Sequence, residues 1–286
     1  ATNKFEETRT SVKNFINANS KEEIIFTKNG EDILVNKPET IFQVLGWVAK
    51  DNYHLSFPVT KEIEKNLHRV SPCFLNEKQK REICDRFHSI IKGKYFAKSI
   101  RLLHEFGLLQ NYYIPEFQEL CGLLQDIYVH KFPTDIHILA ALDKLNGLEL
   151  NRDADNFLVE LYLSVKDKTA LKLAVLLHDI GKGFKAPGQN EELIGSAMIN
   201  PILSSLSYTN EKRIETIAFL VERHLTMRDL MLLDPEEDET YERVWDLVDQ
   251  DKERLKMLIL LTYADRGGTK MVMSSSEIEQ LKHFYQ

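Results

Sequence analysis

One segment constrains the fold of this chain more than any other. Residues 170–180, ALKLAVLLHDI, are apolar on nearly every side, and a helix of that kind is normally a buried central element. Other segments also show helical spacing, as Ile41, Leu45 and Val48 do. Only 12 glycines and 8 prolines occur in 286 residues, which is too few for a β-sandwich or a disordered chain. The sequence therefore predicts an all-α fold.

One pair of strands is predicted near the N-terminus. Residues 24–35, IIFTKNGEDILV, place Asn29-Gly30 between two β-prone runs, and both turn residues tolerate positive φ. The predicted architecture is therefore a helical bundle with a small N-terminal β-hairpin.

A weak domain boundary is predicted near residues 71–75. It separates a hairpin and helical lead-in, residues 1–75, from a larger helical domain, residues 76–286. Within the second domain, helices are predicted at about 137–145, 157–165, 191–206, 210–224, 238–249, 252–264 and 275–285.

The composition limits the partners and the compartment. The net charge of −7 argues against binding to nucleic acid or acidic lipid through a general positive field. No apolar run approaches the roughly 20 residues that span a bilayer, and three cysteines without C-x-x-C spacing fit a reducing compartment. The prediction is a cytoplasmic protein with no nucleic-acid or membrane partner. The aromatic residues Tyr112, Tyr113, Phe117 and Trp245 are expected in the core.

The dipeptide His178-Asp179 follows the apolar helix directly. Successive helical side chains point about 100° apart, an angle at which one metal ion can sit between them. For an isolated pair, capping and hydrogen bonding at the helix end would be the simpler interpretation.

Three further residues make a metal site the better hypothesis. His137 opens a predicted helix, Asp265 ends the apolar stretch LKMLILLTYAD, and His224 lies near the end of another helix. Neutral imidazole nitrogens and carboxylate oxygens together suit divalent metals such as Mn, Fe, Co, Ni or Zn. Water bound to such an ion loses a proton far more easily than bulk water does.

The order H…HD…D on helices resembles the HD superfamily of metal-dependent phosphohydrolases. The blocks LLHDIGKG, FLVERHLTM and LLTYAD, together with RLLHEFGLLQNYYIPEFQELCGLLQDIYVHKFPTDIHIL, are similar to the HD region of the bifunctional uridylyltransferase/uridylyl-removing enzymes. The resemblance extends from about Ile24 to Asp265 and implies an HD-domain-like helical bundle with hydrolase activity.

The resemblance also implies roles for individual residues. His137, His178, Asp179 and Asp265 match the ligands of one divalent metal ion, and Asp179 is also assigned to catalysis. Lys182 matches a lysine that could meet a phosphate oxygen as a point charge.

A second metal site is implied less directly. His224 matches a further histidine that contributes to such a site, but Glu191 stands where the family has another histidine. A carboxylate at this position could retune the second site toward Mn or Mg, or leave only the first site occupied. Alternatively, Glu191 and Glu192 simply form an acidic first helical turn, which the helix dipole favours.

The substrate implied by the resemblance is a tyrosine of the PII signalling protein that carries UMP, and the products are UMP and restored PII. Two alternatives remain open: hydrolysis of a free nucleotide or alarmone, and a partly decayed HD module that serves in regulation or protein binding. The nucleotidyltransferase signature and the ACT pair of the family are missing. Since the chain begins at Ala1, we expect it to be an excised piece of a longer protein.

Overall fold

The computed structural model describes residues 16–19, 21–27, 32–70, 77–124, 132–152, 155–233, 237–269 and 273–286. The chain divides into two compact units, Ala1–Tyr113 and Ile114–Gln286. The predicted boundary near residues 71–75 lies outside the described residues, so the division into 1–75 and 76–286 stays a prediction. The described residues are mostly helical, which confirms the all-α fold class.

The first unit combines a small sheet with short helices. Its elements are β1 (Ile16–Ala18), β2 (Glu23–Phe26), α1 (Ile33–Asn36), α2 (Thr40–Asp51), β3 (His54–Leu55), α3 (Phe57–Asn66), a 3₁₀ turn (Leu67–Val70), α4 (Glu77–Lys92), α5 (Phe96–Glu105) and a π-helical turn (Leu109–Tyr113). The three strands lie in the order β1-β2-β3. Helix α2 packs against both α4 and α5, and this contact forms most of the unit's core.

An N-terminal hairpin is present, but it lies earlier in the chain than the sequence predicted. β1 pairs antiparallel with β2, with Ala18 opposite Ile24, and β2 pairs parallel with β3 on its other edge. Asn19 stabilises the turn, because its side-chain oxygen accepts hydrogen bonds from the backbone N–H groups of Lys21 at 2.8 Å and Glu23 at 3.0 Å. This is the local bonding by which asparagine favours turns.

The predicted second strand of the Asn29-Gly30 hairpin is wrong. Residues Ile33–Asn36 form a helical turn in which the consecutive side chains of Ile33 and Leu34 are both buried. Successive side chains of a strand point to opposite faces, so a half-buried edge strand could not bury both. The Asn29-Gly30 turn itself lies outside the described residues.

The second unit is helical throughout its described residues. Its elements are a 3₁₀ turn (Pro115–Leu120), α6 (Thr134–Glu149), α7 (Asn156–Ser164), α8 (Lys168–Leu177), a second 3₁₀ turn (Ile180–Gly183), α9 (Glu191–Ser205), α10 (Glu211–Leu230), α11 (Asp238–Leu247), α12 (Lys252–Gly267) and α13 (Ser275–Tyr285). Six of these helices begin with a side chain that accepts a hydrogen bond from the first turn, the usual N-cap arrangement. The six residues are Asp155, Asp167, Asn190, Asn210, Asp251 and Ser274.

Helix α8 is the central element that its sequence predicted. Every residue from Ala170 to Leu177 is buried, and α6, α10 and α12 pack around it. The apolar C-terminal half of α8 therefore ends inside the bundle, and the polar residues that follow it begin there.

One predicted core residue is exposed. Tyr113 and Phe117 are buried, but Trp245 is 40% exposed. The buried positions of α11 are Thr240 and Val244, and Trp245 follows Val244 by about 100° around the helix, which turns it away from that face.

A search of the described helices finds none with the length and apolar character that crossing a membrane requires.

Candidate metal centre

Three helix ends bring four metal-binding side chains together. His137 lies in the first turn of α6, His178 and Asp179 follow the last residue of α8, and Asp265 lies in the last turn of α12. His137, His178 and Asp179 are almost completely buried. A position at a helix end lets a polar group face the site while the rest of the helix packs in the apolar core.

The ligand atoms converge closely. His137 Nε2 lies 2.9 Å from Asp265 Oδ1 and 3.3 Å from His178 Nε2. His178 Nε2 lies 3.5 Å from Asp265 Oδ1 and from Asp179 Oδ2. His137 Nε2 lies 3.7 Å from Asp179 Oδ2. His137, His178 and Asp179 each contribute one atom to a group that could hold a metal ion.

Backbone hydrogen bonds orient two of the imidazoles. The Nδ1 atom of His178 donates to the carbonyl of Val175 at 2.8 Å, and that of His224 donates to the carbonyl of Val221 at 2.7 Å. A carbonyl can only accept, so the proton of a neutral ring lies on Nδ1 and Nε2 offers a lone pair. This outer bond is how proteins commonly orient a metal-binding histidine.

The His137 ring lies against Gly268, just after the end of α12. A Cβ at Gly268 would come 2.6 Å from His137 Nδ1, so only glycine leaves room for the ring. Burial lowers the pKa of the His137 imidazole, but the hydrogen bond and charge of Asp265 raise it more, and the resulting pKa lies above the usual value.

Both carboxyl groups of the site are ionised. Burial raises the pKa of Asp179, but the charges of His178 and Lys182 more than offset this, so the pKa lies well below its ordinary value. The same balance holds the pKa of Asp265 well below its ordinary value, where burial is outweighed by the hydrogen bonds of His137 and His178. The site therefore holds two anions, of which Asp179 is buried and Asp265 is 14% exposed.

This arrangement fits a metal ion. The site holds two anionic carboxylates beside the Nε2 atoms of His137 and His178. Such an arrangement requires a cation between these groups. The raised pKa of His137 agrees with this, because a proton on the imidazole also supplies positive charge beside the carboxylates. His224 adds a further sign, because its Nε2 is buried without a hydrogen-bond partner in the described part of the chain and lies 3.7 Å from Asp179 Oδ1.

Lys182 lies at the mouth of the site. In a 3₁₀ turn the side chains of residues i and i+3 stack, and the turn after α8 places Lys182 Nζ 2.8 Å from Asp179 Oδ2. The side chains of Lys182 and Asp265 are 13% and 14% exposed, whereas those of His137, His178 and Asp179 are at most 1% exposed. Lys182 and Asp265 are therefore closer to solvent than His137, His178 and Asp179 are.

Glu191 contacts lysines. Its Oε1 lies 3.7 Å from Lys182 Nζ, and its Oε2 forms an ion pair with Lys185. Among the described residues, Glu191 is not in the group of His137, His178 and Asp179 that could hold a metal ion. Its predicted role in a second metal site stays a prediction.

Two contributors were not predicted from the sequence. Lys185 follows Lys182 by three residues, and the Gly267-Gly268 pair follows Asp265. The glycine pair directly after a candidate ligand was the available signal, because paired glycines often mark a close approach of the backbone.

A substitution at Gly181 tests how the turn positions the site. A Cβ at Gly181 would lie 2.7 Å from Gly195 N and closer still to the carbonyl oxygen of Glu191. Both are backbone atoms of α9, so no side-chain rotation relieves the clash. We expect Gly181→Ala to cost about 2 to 3 kcal/mol in urea-induced unfolding and to lower metal content.

Gly46→Ala is the matched control for this substitution. A Cβ there meets nothing within 4 Å, and alanine favours a helix interior by about 0.5 to 1 kcal/mol over glycine. Equal stability of wild type and Gly181→Ala would contradict the proposed close packing of the turn on α9.

Comparison with known families supports this reading of the site. Residues 134–259, which include His137, His178, Asp179 and His224, match the model of the HD domain. Residues 134–259 are therefore similar to an HD domain, and Asp265 lies beyond the end of this match. A second model, aminotransferase class-V, matches residues 1–36, and so short a match does not by itself place the chain among the aminotransferases.

The HD domain is accompanied by similarity to larger proteins. A bifunctional uridylyltransferase/uridylyl-removing enzyme of Azospirillum brasilense is 34% identical over 183 residues, 63% of this chain and 19% of the relative. The protein of that name from Phenylobacterium zucineum is 32% identical over 182 residues, 62% of this chain and 18% of the relative. In Neisseria gonorrhoeae the identity is 26% over 249 residues, 83% of this chain and 28% of the relative.

The chain thus spans between about a fifth and just over a quarter of the length of these relatives. The HD domain and the uridylyl-removing relatives support a metal-dependent hydrolase. HD domains bind divalent metals, in agreement with the convergence of imidazole and carboxylate groups at the ends of α6, α8 and α12.

Proposed function

We propose that this HD domain hydrolyses a phosphodiester with one divalent metal ion held by His137, His178, Asp179 and Asp265. One observation carries the proposal: the Nε2 atoms of His137 and His178 lie 3.3 Å apart, and each lies 2.9 to 3.7 Å from an oxygen of Asp179 and of Asp265. Such mixed nitrogen and oxygen ligands suit Mn, Fe, Co, Ni or Zn, and Mg is the candidate that depends most on the carboxylates.

A divalent ion in this site would lower the pKa of water and offset negative charge on a phosphoryl oxygen. The chain's own groups do the rest. Lys182, at the mouth, donates a hydrogen bond to a phosphate oxygen and adds a fixed positive charge. Burial lowers the pKa of Lys182, but the charge and hydrogen bond of Asp179 raise it more, so the group stays cationic.

His224 can take part in moving a proton. Its Nδ1–H is committed to the carbonyl of Val221, so its Nε2 lone pair is left to accept a hydrogen bond from water beside Asp179. In the proposed reaction the water oxygen forms a bond to phosphorus, and the bond from phosphorus to the leaving oxygen breaks. The proton that the water loses is accepted at His224 Nε2, and one proton is returned to the leaving oxygen, so the protons balance.

The proposed substrate is a tyrosine that carries UMP on a PII-type signalling protein. The leaving group is then the tyrosine oxygen, and the products are UMP and the unmodified protein. The support is the name of the relatives, which are uridylyl-removing enzymes. Because this chain corresponds to a small part of each relative, both the substrate and the partner are proposals.

A substrate panel tests the function. We expect Mn-loaded protein to release UMP from uridylylated PII at least about 100-fold faster, as kcat/KM, than it hydrolyses free nucleoside phosphates, an alarmone or bis(4-nitrophenyl) phosphate. UMP release is followed by chromatography, and protein stripped with a chelator is the control.

Each alternative predicts a different result in this panel. Preference for a free nucleotide or alarmone would contradict the PII assignment and retain the phosphohydrolase. Failure to bind metal and to hydrolyse any member of the panel would contradict the enzyme and favour a regulatory or protein-binding module.

A further inference from the structure

Glu191 is held between two ammonium groups at the mouth of the site. It is the first residue of α9, which Asn190 caps by accepting a hydrogen bond from the backbone of Leu193 at 2.9 Å. The Glu191 side chain is 15% exposed, as closely enclosed as that of Lys182 at 13%. Lys185 pairs with its other oxygen and is 45% exposed. The order across the mouth is therefore Asp179, Lys182, Glu191, Lys185, with alternating charge.

A second metal ion would need carboxylates that already pair with lysines at this mouth, those of Asp179 and Glu191. Two donors, His224 Nε2 and Asp179 Oδ1, lie 3.7 Å apart on this side, and His224 is not in the group of described residues, His137, His178 and Asp179, that could hold a metal ion. Two donors are too few for a stable site, so Glu191 would have to supply a third. To do so, its carboxylate would have to leave both lysines.

The Lys182 ammonium also opposes a second ion by its charge. It lies 2.8 Å from Asp179 Oδ2, on the carboxylate that a second ion would share. Like charges at such distances in a partly buried site repel strongly. The Lys182 ammonium therefore already supplies the positive charge next to Asp179 on this side.

We propose that Glu191 is a positioning residue that holds the Lys182 ammonium where a second metal ion would otherwise bind, so that the centre takes one ion. The inference rests on the proposed metal site of His137, His178, Asp179 and Asp265. It adds a reason why that site is mononuclear and assigns Glu191 to the placement of Lys182. His224 then contributes as a hydrogen-bond acceptor.

Metal stoichiometry tests the proposal without any substrate. Wild type, Glu191→His and Glu192→His are each loaded with Mn²⁺ or Zn²⁺, desalted and analysed by mass spectrometry for metal per chain. We expect about one equivalent in wild type and in Glu192→His, the control in the same helical turn. We expect close to two in Glu191→His, because an imidazole there releases Lys182 and adds a donor facing His224.

The outcomes separate this inference from the proposed function. Two equivalents in wild type, or only one in Glu191→His, would overturn the inference and leave the hydrolase standing. No bound metal in wild type would overturn the metal site itself and, with it, this inference. Circular dichroism of each variant verifies that it is folded.

A kinetic cycle tests positioning directly, with bis(4-nitrophenyl) phosphate as the probe. We expect Glu191→Gln to lower kcat by about 10-fold, the usual size for a residue that orients an active group, and Glu191→Asp to restore part of the loss. In a Lys182→Met background the same substitution should change kcat less than about 2-fold, because its effect passes through Lys182. Equal losses in both backgrounds would overturn the positioning role.

Discussion

Asp179→Asn is expected to lower phosphodiester hydrolysis by about 10³-fold or more and to remove most of the bound metal. The substitution keeps the shape of the side chain but deletes one of two buried anions. Asp179 lies close to four other groups of the site, since its oxygens lie 3.5 Å from His178, 3.7 Å from His137 and His224, and 2.8 Å from Lys182. A 10³-fold loss corresponds to about 4 kcal/mol of transition-state stabilisation, a size typical of lost metal assistance. Metal analysis and single-substrate kinetics measure the two effects.

The control for this prediction lies at the other end of the same helix. Asp167 caps α8 by accepting a hydrogen bond from Ala170 N at 3.0 Å, and it pairs with Arg213 at 2.7 Å. Asn is also a good N-cap, and a partly exposed ion pair contributes about 1 kcal/mol or less. Asp167→Asn should therefore keep full metal content and activity. Full activity in Asp179→Asn would contradict the proposed metal site.

The candidate site was predictable because helix ends carry their own sequence signals. An apolar run that stops at a His-Asp pair, as α8 does, places both residues where the buried helix ends. The same holds for Asp265 after the apolar stretch of α12. The resemblance to the HD superfamily predicted these four positions, spread from 137 to 265, as one cluster. In the structure the Nε2 atoms of His137 and His178 each lie within 3.7 Å of both carboxylates.

The position of Glu191 was not predictable from spacing. Its helix start was predicted at the observed residue, but the direction of a carboxylate depends on which charges lie nearby in space. The 3₁₀ turn places Lys182, and Lys185 follows on the loop, so the Glu191 carboxylate faces two lysines. A turn of this kind has no strong sequence pattern.

The errors at the N-terminus have a common cause. A short apolar run such as residues 33–35 fits a strand or a helical turn equally well, and only tertiary burial decides. The observed hairpin uses the turn after Asn19, whose role depends on side-chain hydrogen bonds rather than on a recognisable dipeptide.

An ion pair between α8 and α6 was not predicted from the sequence. The Lys172 side chain is 2% exposed, and its ammonium lies 2.8 Å from Glu149 Oε2 on α6. Tyr162 on α7 donates to the same oxygen at 3.0 Å, and burial raises its pKa, so the hydroxyl stays protonated. One carboxylate thus joins three helices.

Glu149→Gln is therefore expected to destabilise the second unit by about 3 kcal/mol, because removing one partner leaves a buried charge without its counter-ion. Burial lowers the pKa of Lys172 and the charge of Glu149 opposes this, so loss of the carboxylate makes the ammonium still more costly. Glutamine retains an oxygen for Tyr162, which limits the change to the charge. Urea-induced unfolding followed by circular dichroism measures the loss.

The double substitution Glu149→Gln/Lys172→Met should recover stability to within about 1 kcal/mol of wild type, because apolar replacement of a buried pair is often nearly neutral. The recovery separates the cost of an uncompensated charge from the cost of lost packing, since methionine fills the lysine stem but carries no charge. If the double variant were as unstable as Glu149→Gln alone, the pair would matter for its shape, and the charge argument would fail. Metal content should stay unchanged in both variants, because Lys172 precedes His178 by six residues, more than one and a half turns of helix.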